Sequence, residues 1–518
     1  MQIRDMQTEV HVARHDPVGR ISPNVYGQLS EHLGRCVYGG IWVGEDDGVP
    51  TENGIRMDTV ELLRDLNTPV LRWPGGCFAD DYHWTDGLGP REERPRRRNM
   101  WWTQGRDNLP EESNAFGTEE FMDFCEMLGT EPYLAVNVGA GDPDEAVDWA
   151  EYCNYDGDTE ITRLRAKNGS EEPHNVTYWG VGNENWGCGG RFSPEQYAEQ
   201  FRRYANYLRG FDRVMADESL ELVACGHITD SWNRRFLEHL AECVSFGQGT
   251  VYNLLDHLSV HRYHHSGSDT EFTDDQYYRL LARARQVGED IDRAAEALQL
   301  FAPGTDIGII VDEWGVWHPE AVFDNGLEQE NTVRDALSAA SVLDDLNKRA
   351  DVVSMANIAQ TVNVLQCLVQ TNEDSAWPTP TYRVFDLYKQ HMGATALRTV
   401  VDTEVRAVKS IGNEFNADSE HEVPLVTASA SEQDGQVYVT LSNLHRDDAR
   451  EITVTVESDG VTIEDAQALF GGLPADLYST ETNAERFTPE EIEAENHGDG
   501  TVVVDAPAGS TLGLSVQV

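Results

Sequence analysis

Short apolar runs alternate with amphipathic stretches along the first three quarters of the chain. Eight runs have the length and composition of buried strands: 24–32, 69–76, 132–138, 176–183, 220–227, 255–263, 307–314 and 352–362. Between them, apolar residues recur at helical spacing in stretches that include 57–66, 118–128, 193–215, 233–244, 274–298, 331–346 and 380–391. Eight strands that alternate with helices predict an α/β protein with a (β/α)8 TIM barrel. An open doubly wound sheet is the alternative, but no glycine-rich phosphate loop follows the early strands.

Two helix starts carry capping signals. Thr118 precedes Glu119 and Glu120, and Ser193 precedes Pro194. A hydroxyl at the N-cap and a proline at the first helical position both favour helix initiation. We therefore predict that these two residues cap their helices.

The pattern changes after about Gly393, where strict alternation of apolar and polar residues replaces helical spacing. The alternating runs are 436–442, 451–457, 501–505 and 511–518, and residues 8–13 alternate in the same way. Such runs, separated by turns rich in Asp, Gly and Asn, predict an antiparallel, jelly-roll-like β-sandwich. The predicted domains are an N-terminal segment 1–17 that joins the sandwich, a catalytic barrel 18–393 and a C-terminal sandwich 394–518.

The charge of the chain is extreme. Asp and Glu number 91 against 39 Lys and Arg, which gives a net charge of −52. A disordered acidic chain is one interpretation, but twelve Trp and well-formed apolar segments argue against it. Nucleic acid would be repelled by such a surface. Acidic excess with few lysines predicts a halophilic protein, because molar salt shortens the Debye length to about 3 Å.

No run of residues has the apolar length of a signal peptide or of a membrane helix. The prediction is a cytoplasmic protein with no membrane partner, although export by another route stays open. Eight Cys are spread along the chain without a CxxC pair, which indicates neither a disulfide framework nor a zinc ribbon. Most are predicted to be buried thiols in a reducing cytosol, with Cys77 as an exception.

The active site of a (β/α)8 barrel forms at the carboxyl ends of its strands. Polar residues cluster at those positions, namely Glu31, His32, Arg72, Cys77, Asn137, Asn183, Glu184, His227, His261, Tyr263, Asp312, Glu313 and Gln360. The set contains no obvious metal triad and no phosphate loop, so no metal and no cofactor are predicted. Carboxylates, amides and aromatic rings are the groups that recognise sugars.

Two carboxylates have the placement that glycoside hydrolysis requires. Glu184 ends the fourth apolar run and Glu313 ends the seventh. Strands four and seven lie across the barrel mouth, so one protonated and one ionised carboxyl could flank a single glycosidic bond. Each Glu could instead cap a helix or pair with an Arg. The occurrence of both in this order favours catalysis.

Six motifs resemble family 51 glycoside hydrolases, the α-L-arabinofuranosidases. They are NVYG (24–27), SEHLGRCVYGGIW (30–42), VLRWPGGCFA (70–79), WGVGNENWGCGG (179–190), DEWGVW (312–317) and ANIAQTVNV (356–364). The resemblance spans essentially the whole chain. It implies a retaining enzyme that releases terminal arabinofuranose, a C-terminal β-sandwich and, commonly, a hexamer.

The resemblance also implies a role for individual residues. Glu184 corresponds to the acid/base and Glu313 to the nucleophile. The residues expected to hold the furanose hydroxyls are Glu31, Cys77, Asn183, Tyr263 and Gln360. Arg72 and His261 are expected to support the carboxylates, and Trp102 and Trp317 to form walls of the sugar subsites. Purely structural roles stay open for four of these residues. Cys77 could fill a gap, Tyr263 could be a rim aromatic, Gln360 could satisfy a buried amide, and Arg72 could form an internal salt bridge. His227 and Asn137 are expected to make polar contacts within the barrel.

The chain departs from the family pattern at Gly315, His318, Arg191 and the segment 100–102. We expect these positions at the rim, where they affect the leaving-group side. The expected substrates are arabinose-containing oligosaccharides derived from arabinoxylan or arabinan. Activity on β-xylosides or β-glucans stays open, as does a non-catalytic carbohydrate-binding relative, although binding alone requires no pair of catalytic carboxylates.

Overall fold

A closed barrel of eight parallel strands forms the larger part of the molecule. The computed structural model describes residues 8–45, 48–101, 111–215, 220–242, 254–410 and 419–518. The barrel strands are β1 (Gly27–Leu29), β2 (Val70–Trp73), β3 (Glu131–Val136), β4 (Tyr178–Val181), β5 (Glu221–Cys225), β6 (His257–His264), β7 (Gly308–Val316) and β8 (Val353–Ala359). Pairing of β8 with β1 closes the barrel. The predicted barrel is confirmed.

Ten α-helices lie within the described residues. They are α1 (Met57–Asp65), α2 (Thr118–Leu128), α3 (Pro143–Asn154), α4 (Glu160–Asn168), α5 (Pro194–Asp212), α6 (Asp230–Ala241), α7 (Asp274–Ala284), α8 (Gln286–Phe301), α9 (Val333–Asn347) and α10 (Pro380–Tyr388). The amphipathic stretch 274–298, read as one segment in the sequence, contains two helices that meet at Arg285.

One of the two capping predictions is confirmed. Ser193 Oγ accepts a hydrogen bond from the Gln196 amide, and the Gln196 side chain accepts one from the Ser193 amide. The Thr118 prediction is wrong, because Gly117 is the N-cap of α2 and Glu120 accepts a hydrogen bond from its amide at 2.8 Å. The Thr118 hydroxyl accepts a hydrogen bond from the indole of Trp149 instead.

The barrel interior changes from apolar to charged toward the carboxyl ends of the strands. Val70, Tyr133 and Met355 belong to an apolar cluster inside the barrel. Side chains two residues apart on a strand share a face, so Arg72 follows Val70 toward the mouth. There the Tyr133 hydroxyl donates a hydrogen bond to Asp312 Oδ2 at 3.0 Å. A polar layer therefore lies above the apolar layer at the carboxyl ends of the strands.

The C-terminal part of the chain forms a ten-stranded sheet with the N-terminal strand. Its strands are Thr8–Arg20, Thr395–Asp402, Val426–Gln433, Gln436–Asn443, Arg450–Val456, Thr462–Leu469, Glu490–Glu491, Ala494–Gly498, Thr501–Ala506 and Ser510–Gln517. Strands from both ends of the sheet contribute to one apolar core, so the sheet folds over itself as a sandwich does. The pairing is antiparallel, except that residues 8–12 pair in parallel with residues 452–456.

Helix α9 lies between the barrel and this sheet, and all its side chains are buried. Asp344 on α9 accepts hydrogen bonds from the hydroxyls of Tyr388, Ser429 and Thr440. Burial raises the pKa of Asp344 to about 6. Among the described residues, no helix has the length and apolar character needed to cross a membrane.

Candidate active site

A buried guanidinium holds the end of β7. Arg72, on β2, donates a hydrogen bond to Glu313 Oε1 at 2.9 Å and lies 3.4 Å from Asp312 Oδ2. Its other terminal nitrogen donates to Asn183 Oδ1 at 2.7 Å. The Tyr263 hydroxyl, from β6, donates to Glu313 Oε2 at 2.9 Å. Side chains from β2 and β6 therefore converge on the Glu313 carboxylate of β7, and the loop after β4 binds the same guanidinium.

A second carboxylate faces the first across the mouth of the barrel. Glu184 follows β4, and one of its oxygens lies within 4.8 Å of one oxygen of Glu313. His261 lies between them, with Nδ1 at 3.0 Å from Glu184 Oε1 and 3.5 Å from Glu313 Oε2. The Glu184 side chain is 20% exposed, whereas that of Glu313 is 7% exposed. The more exposed carboxyl can exchange protons with solvent, and the other is enclosed by protein.

The ionisation of the site follows from these contacts. Burial alone would raise the pKa of Glu313, but His261 and Arg72 outweigh burial and lower it to about 2. Burial alone would lower the pKa of His261, but Glu313 and Glu184 raise it to about 10. At neutral pH the site therefore holds an ionised Glu313 beside an imidazolium, whose Nδ1–H can donate to Glu184.

A third carboxylate reaches the same space from the end of β1. Glu31 is buried and accepts hydrogen bonds from the Phe78 amide at 3.1 Å and from Gln360 Nε2 at 3.1 Å. A Cβ atom on Gly76 would lie 2.8 Å from Glu313 Oε1 and 3.3 Å from Glu31 Oε1. Any larger residue at position 76 would occupy the gap between these two carboxylates.

A disulfide bond joins Cys77 to Cys188, 111 residues further along the chain. The expectation that the cysteines lack a disulfide framework is therefore corrected for this pair. The barrel brings the loops after β2 and β4 side by side, and spacing in the sequence cannot reveal this. Cys188 Sγ lies 3.8 Å from Glu184 Oε2, and the oxidised Cys77 has no thiol hydrogen to donate. The other five described cysteines are free and buried, namely Cys36, Cys125, Cys153, Cys225 and Cys367, while Cys243 lies outside the described residues.

Trp317 packs edge-on against Tyr263, with ring centroids 5.3 Å apart, and its indole donates to the Ala321 carbonyl. Trp102 lies outside the described residues. Among the predicted site residues, Asn183, Tyr263, Arg72 and His261 belong to the network around Glu313 and Glu184. Glu31 and Gln360 contact each other beside it.

Asn137 and His227 make local contacts. Asn137 Oδ1 accepts hydrogen bonds from the amides of Ala140 and Gly141. The ring of His227 lies edge-on to Trp186, with centroids 4.6 Å apart.

The expectation that the unusual residues line the rim is wrong for His318 and Gly315. His318 is fully buried, with Nε2 at 3.0 Å from Asp335 Oδ1, and Gly315 is buried within β7. The departures from the family pattern at these two positions therefore concern buried residues.

Comparisons with known proteins agree with this geometry. The model of the α-L-arabinofuranosidase 1 domain matches residues 62–281, and that of the α-L-arabinofuranosidase C-terminal domain matches residues 312–510. An intracellular exo-α-L-arabinofuranosidase of Bacteroides ovatus is 38% identical over 96% of this chain and 93% of that protein. The chain belongs to glycoside hydrolase family 51, the α-L-arabinofuranosidases. It is a glycoside hydrolase.

Solved structures of this family share the whole architecture. The family 51 arabinofuranosidase from Xanthomonas axonopodis pv. citri is 35% identical, with a TM-score of 0.88 over 99% of this chain and all of that chain. The arabinose complex of the Thermotoga maritima α-L-arabinofuranosidase is 30% identical, with a TM-score of 0.85 and the same coverage. Both structures span the barrel and the C-terminal sheet.

Sequence reasoning missed two parts of this family 51 site. Cys188 lies in the same motif as Glu184, which indicated that it is close to the site. Nothing in the sequence indicated that Cys188 pairs with Cys77. Asp80 is buried beneath the loop after β4, and the sequence pattern did not predict it as a site residue. An aspartate three residues after a conspicuous cysteine was the available signal.

Proposed function

We propose that this enzyme is a retaining, exo-acting α-L-arabinofuranosidase with Glu313 as nucleophile and Glu184 as acid/base. The observation that carries the proposal is the facing pair of carboxyls with oxygens within 4.8 Å. Retaining glycosidases hold their two carboxyl groups about 5–5.5 Å apart, whereas inverting enzymes leave room for a water molecule at roughly 6.5–9.5 Å. The short separation supports direct attack on the sugar.

Their surroundings support different roles for the two carboxylates. Glu313 is ionised and receives hydrogen bonds from Arg72 and Tyr263. A fixed anion of this kind can attack an anomeric carbon. Glu184 is the more exposed of the pair and contacts only one potential cation, His261, among the described residues. It can therefore exchange its proton between successive steps.

The proposed reaction has two displacements. Glu313 attacks the anomeric carbon, the bond to the leaving oxygen breaks, and Glu184 transfers its proton to that oxygen. A water molecule then gives a proton to Glu184 while its oxygen displaces the Glu313 carboxylate from the sugar. Glu313 returns as an anion, Glu184 is protonated again, and the configuration is retained.

The residues proposed to bind arabinofuranose surround this pair: Glu31, Cys77, Asn183, Tyr263 and Gln360, with Trp317 and Trp102 as walls and Arg72 and His261 as supports. Cys77 would contribute through its oxidised sulfur. The name of the Bacteroides ovatus relative supports exo action and an intracellular location. Oligosaccharides derived from arabinoxylan and arabinan are the proposed substrates, and no metal or cofactor is part of the proposed reaction.

Hydrolysis of a nitrophenyl α-L-arabinofuranoside, compared with a nitrophenyl β-D-xyloside in molar KCl, tests this function. We expect turnover of the arabinoside at a much higher kcat/KM. NMR spectra recorded early in the reaction should show the product with the anomeric configuration of the substrate. Initial formation of the opposite anomer would indicate inversion and would contradict the proposed nucleophile.

We predict that Arg72→Gln moves the acid limb of the kcat/KM profile to higher pH. Arg72 is one of two cations that lower the pKa of Glu313, so its loss raises that pKa. The nucleophile must be ionised, and activity would then be lost at a higher pH as the solution is acidified. Arg72→Lys is the matched control, because it keeps the charge and should keep the acid limb. Unfolding in urea should show Arg72→Gln destabilised by about 3–5 kcal/mol, because buried carboxylates lose their cation.

We also propose that the protein is halophilic and forms a homo-oligomer, a hexamer by family resemblance. At 0.01 M salt the Debye length is about 30 Å, and a chain with a net charge of −52 then repels itself across whole subunits. Lowering KCl from molar to millimolar at fixed pH should reduce activity, circular dichroism and the mass measured by light scattering. A flat response in all three would contradict the halophilic proposal and leave the glycosidase assignment intact.

A further inference from the structure

The buried carboxylate of Asp80 connects the ends of three barrel strands. It follows β2 and is 3% exposed. Its Oδ1 accepts hydrogen bonds from the amides of Val138 and Gly139, after β3, at 2.9 and 2.8 Å. Its Oδ2 accepts one from the amide of Asn183, after β4, at 2.9 Å, and lies 3.5 Å from Asn185 Nδ2. Both oxygens act only as acceptors, and three of the four donors are fixed backbone groups.

Glu184 lies between the two asparagines that Asp80 binds. Its φ of 42° places a non-glycine residue in the left-handed region, which is costly unless neighbouring contacts impose it. The Asn183 side chain accepts a hydrogen bond from Arg72, and the Asn183 backbone amide donates one to Asp80. Both the side chain and the backbone of Asn183 are therefore held in place. The direction of the Glu184 side chain thus depends on contacts made by Asn183 and Asn185.

The surrounding chain leaves room for this contact. A Cβ atom on Gly189 would lie 2.3 Å from Asp80 Oδ2 and 2.3 Å from the Asn183 carbonyl oxygen. The Cys77–Cys188 disulfide crosses between the same two loops. The disulfide holds the far end of the loop, and Asp80 holds the residues on either side of Glu184.

We propose that Asp80 is a positioning residue for Glu184, acting through the Asn183 amide and the Asn185 side chain. The inference rests on the proposed role of Glu184 as acid/base. Asp80 does not contact the sugar in this proposal. It maintains the backbone conformation that aims the Glu184 carboxyl at the leaving oxygen.

Asp80→Asn is the most informative variant, because it keeps the volume and removes one acceptor. Whichever way the new amide points, its NH2 group faces backbone N–H donors, either those of residues 138 and 139 or that of Asn183. The N–H groups on that side must then move away from the side chain of residue 80. Asp344→Asn is the matched control. Asp344 and Asp80 are both buried, and burial raises the pKa of each to about 6, but Asp344 lies away from the site, between the barrel and the sheet.

The test compares kcat/KM on two arabinosides, one with a dinitrophenyl leaving group and one with an alkyl leaving group. We expect Asp80→Asn to lose about 10- to 100-fold on the alkyl substrate, as a misplaced acid should, and only a few-fold on the dinitrophenyl substrate, which needs little proton transfer. Asp344→Asn should affect both substrates equally. Equal losses in Asp80→Asn, or no loss, would overturn the proposal.

Glu184→Ala in the same assay separates this inference from the function on which it rests. If Glu184→Ala lacks the dependence on leaving group, the acid/base assignment fails. If Glu184→Ala shows the dependence and Asp80→Asn does not, only the positioning role fails. Should Asp80→Asn not fold, Gly189→Ala gives a second comparison, because its methyl group would clash with both the Asp80 carboxylate and the Asn183 carbonyl and so disturb the contact between these two residues.

Discussion

Replacement of Glu313 with alanine should abolish turnover of every arabinoside, including substrates with a dinitrophenyl leaving group. No other described carboxylate has the same combination of burial, low pKa and contact with the Glu184 side of the site. The loss of kcat/KM should exceed the roughly 10²–10⁴-fold that a general acid or base contributes, because the covalent intermediate cannot form. Rate measurements with a nitrophenyl arabinoside at high enzyme concentration give the residual activity.

Glu119→Ala is the matched control for this variant. Glu119, at the start of α2, also accepts a hydrogen bond from a tyrosine hydroxyl, contacts a histidine and has a lowered pKa. It lies outside the site, so its loss should change stability and leave the chemical step intact. Substantial activity in Glu313→Ala, or an equal loss in both variants, would refute the assignment of the nucleophile.

The barrel was predictable because its signal is local. Each strand is a short apolar run, each helix has amphipathic spacing, and right-handed β-α-β connections leave few arrangements of such units. The alternation in 8–13 likewise predicted that the N-terminal strand joins the C-terminal sheet. Alternation carries no information about direction, so the parallel pairing of this strand with residues 452–456 could not be predicted. The domain boundaries at 17/18 and 393/394 stay a prediction.

Helix ends were less predictable, because several residues compete to satisfy the same amides. The sequence placed a cap at Thr118, but Gly117 and Glu120 satisfy the first turn of α2. The break at Arg285 leaves the amphipathic spacing of α7 and α8 nearly continuous, so periodicity alone runs through it.

The candidate site was predictable where one residue stands out in its own segment. Glu184 and Glu313 are charged residues at the ends of apolar strands. Such a position is explained only by a function or by pairing with another charge. Asp80 and the Cys77–Cys188 bond depend on which loops become neighbours when the barrel closes. His318 was predicted wrongly. It differs from the family pattern and lies close to the site in sequence, so it was expected at the rim, but it is buried against Asp335.

Replacement of Glu184 with alanine should give losses that depend on the leaving group. For an alkyl arabinoside, kcat/KM should fall by about 10²–10⁴-fold, since departure of the sugar requires protonation of the leaving oxygen. For a dinitrophenyl arabinoside, the first step should be nearly preserved, and hydrolysis of the arabinosyl-enzyme should become limiting. Azide should then raise kcat and form an arabinosyl azide of retained configuration, because a small anion needs no general base and the alanine leaves space for it.

Glu145→Ala is the control that isolates this effect. The Glu145 side chain is 21% exposed, close to the 20% of Glu184, and like Glu184 it lies within hydrogen-bond distance of a histidine Nδ1. It should show neither the dependence on leaving group nor a response to azide. If azide accelerated Glu145→Ala as much as Glu184→Ala, the anion would be acting elsewhere. If Glu184→Ala lost the same factor on both substrates, Glu184 would be holding the sugar in place instead of transferring a proton, and the acid/base would have to be sought among the other groups at the barrel mouth.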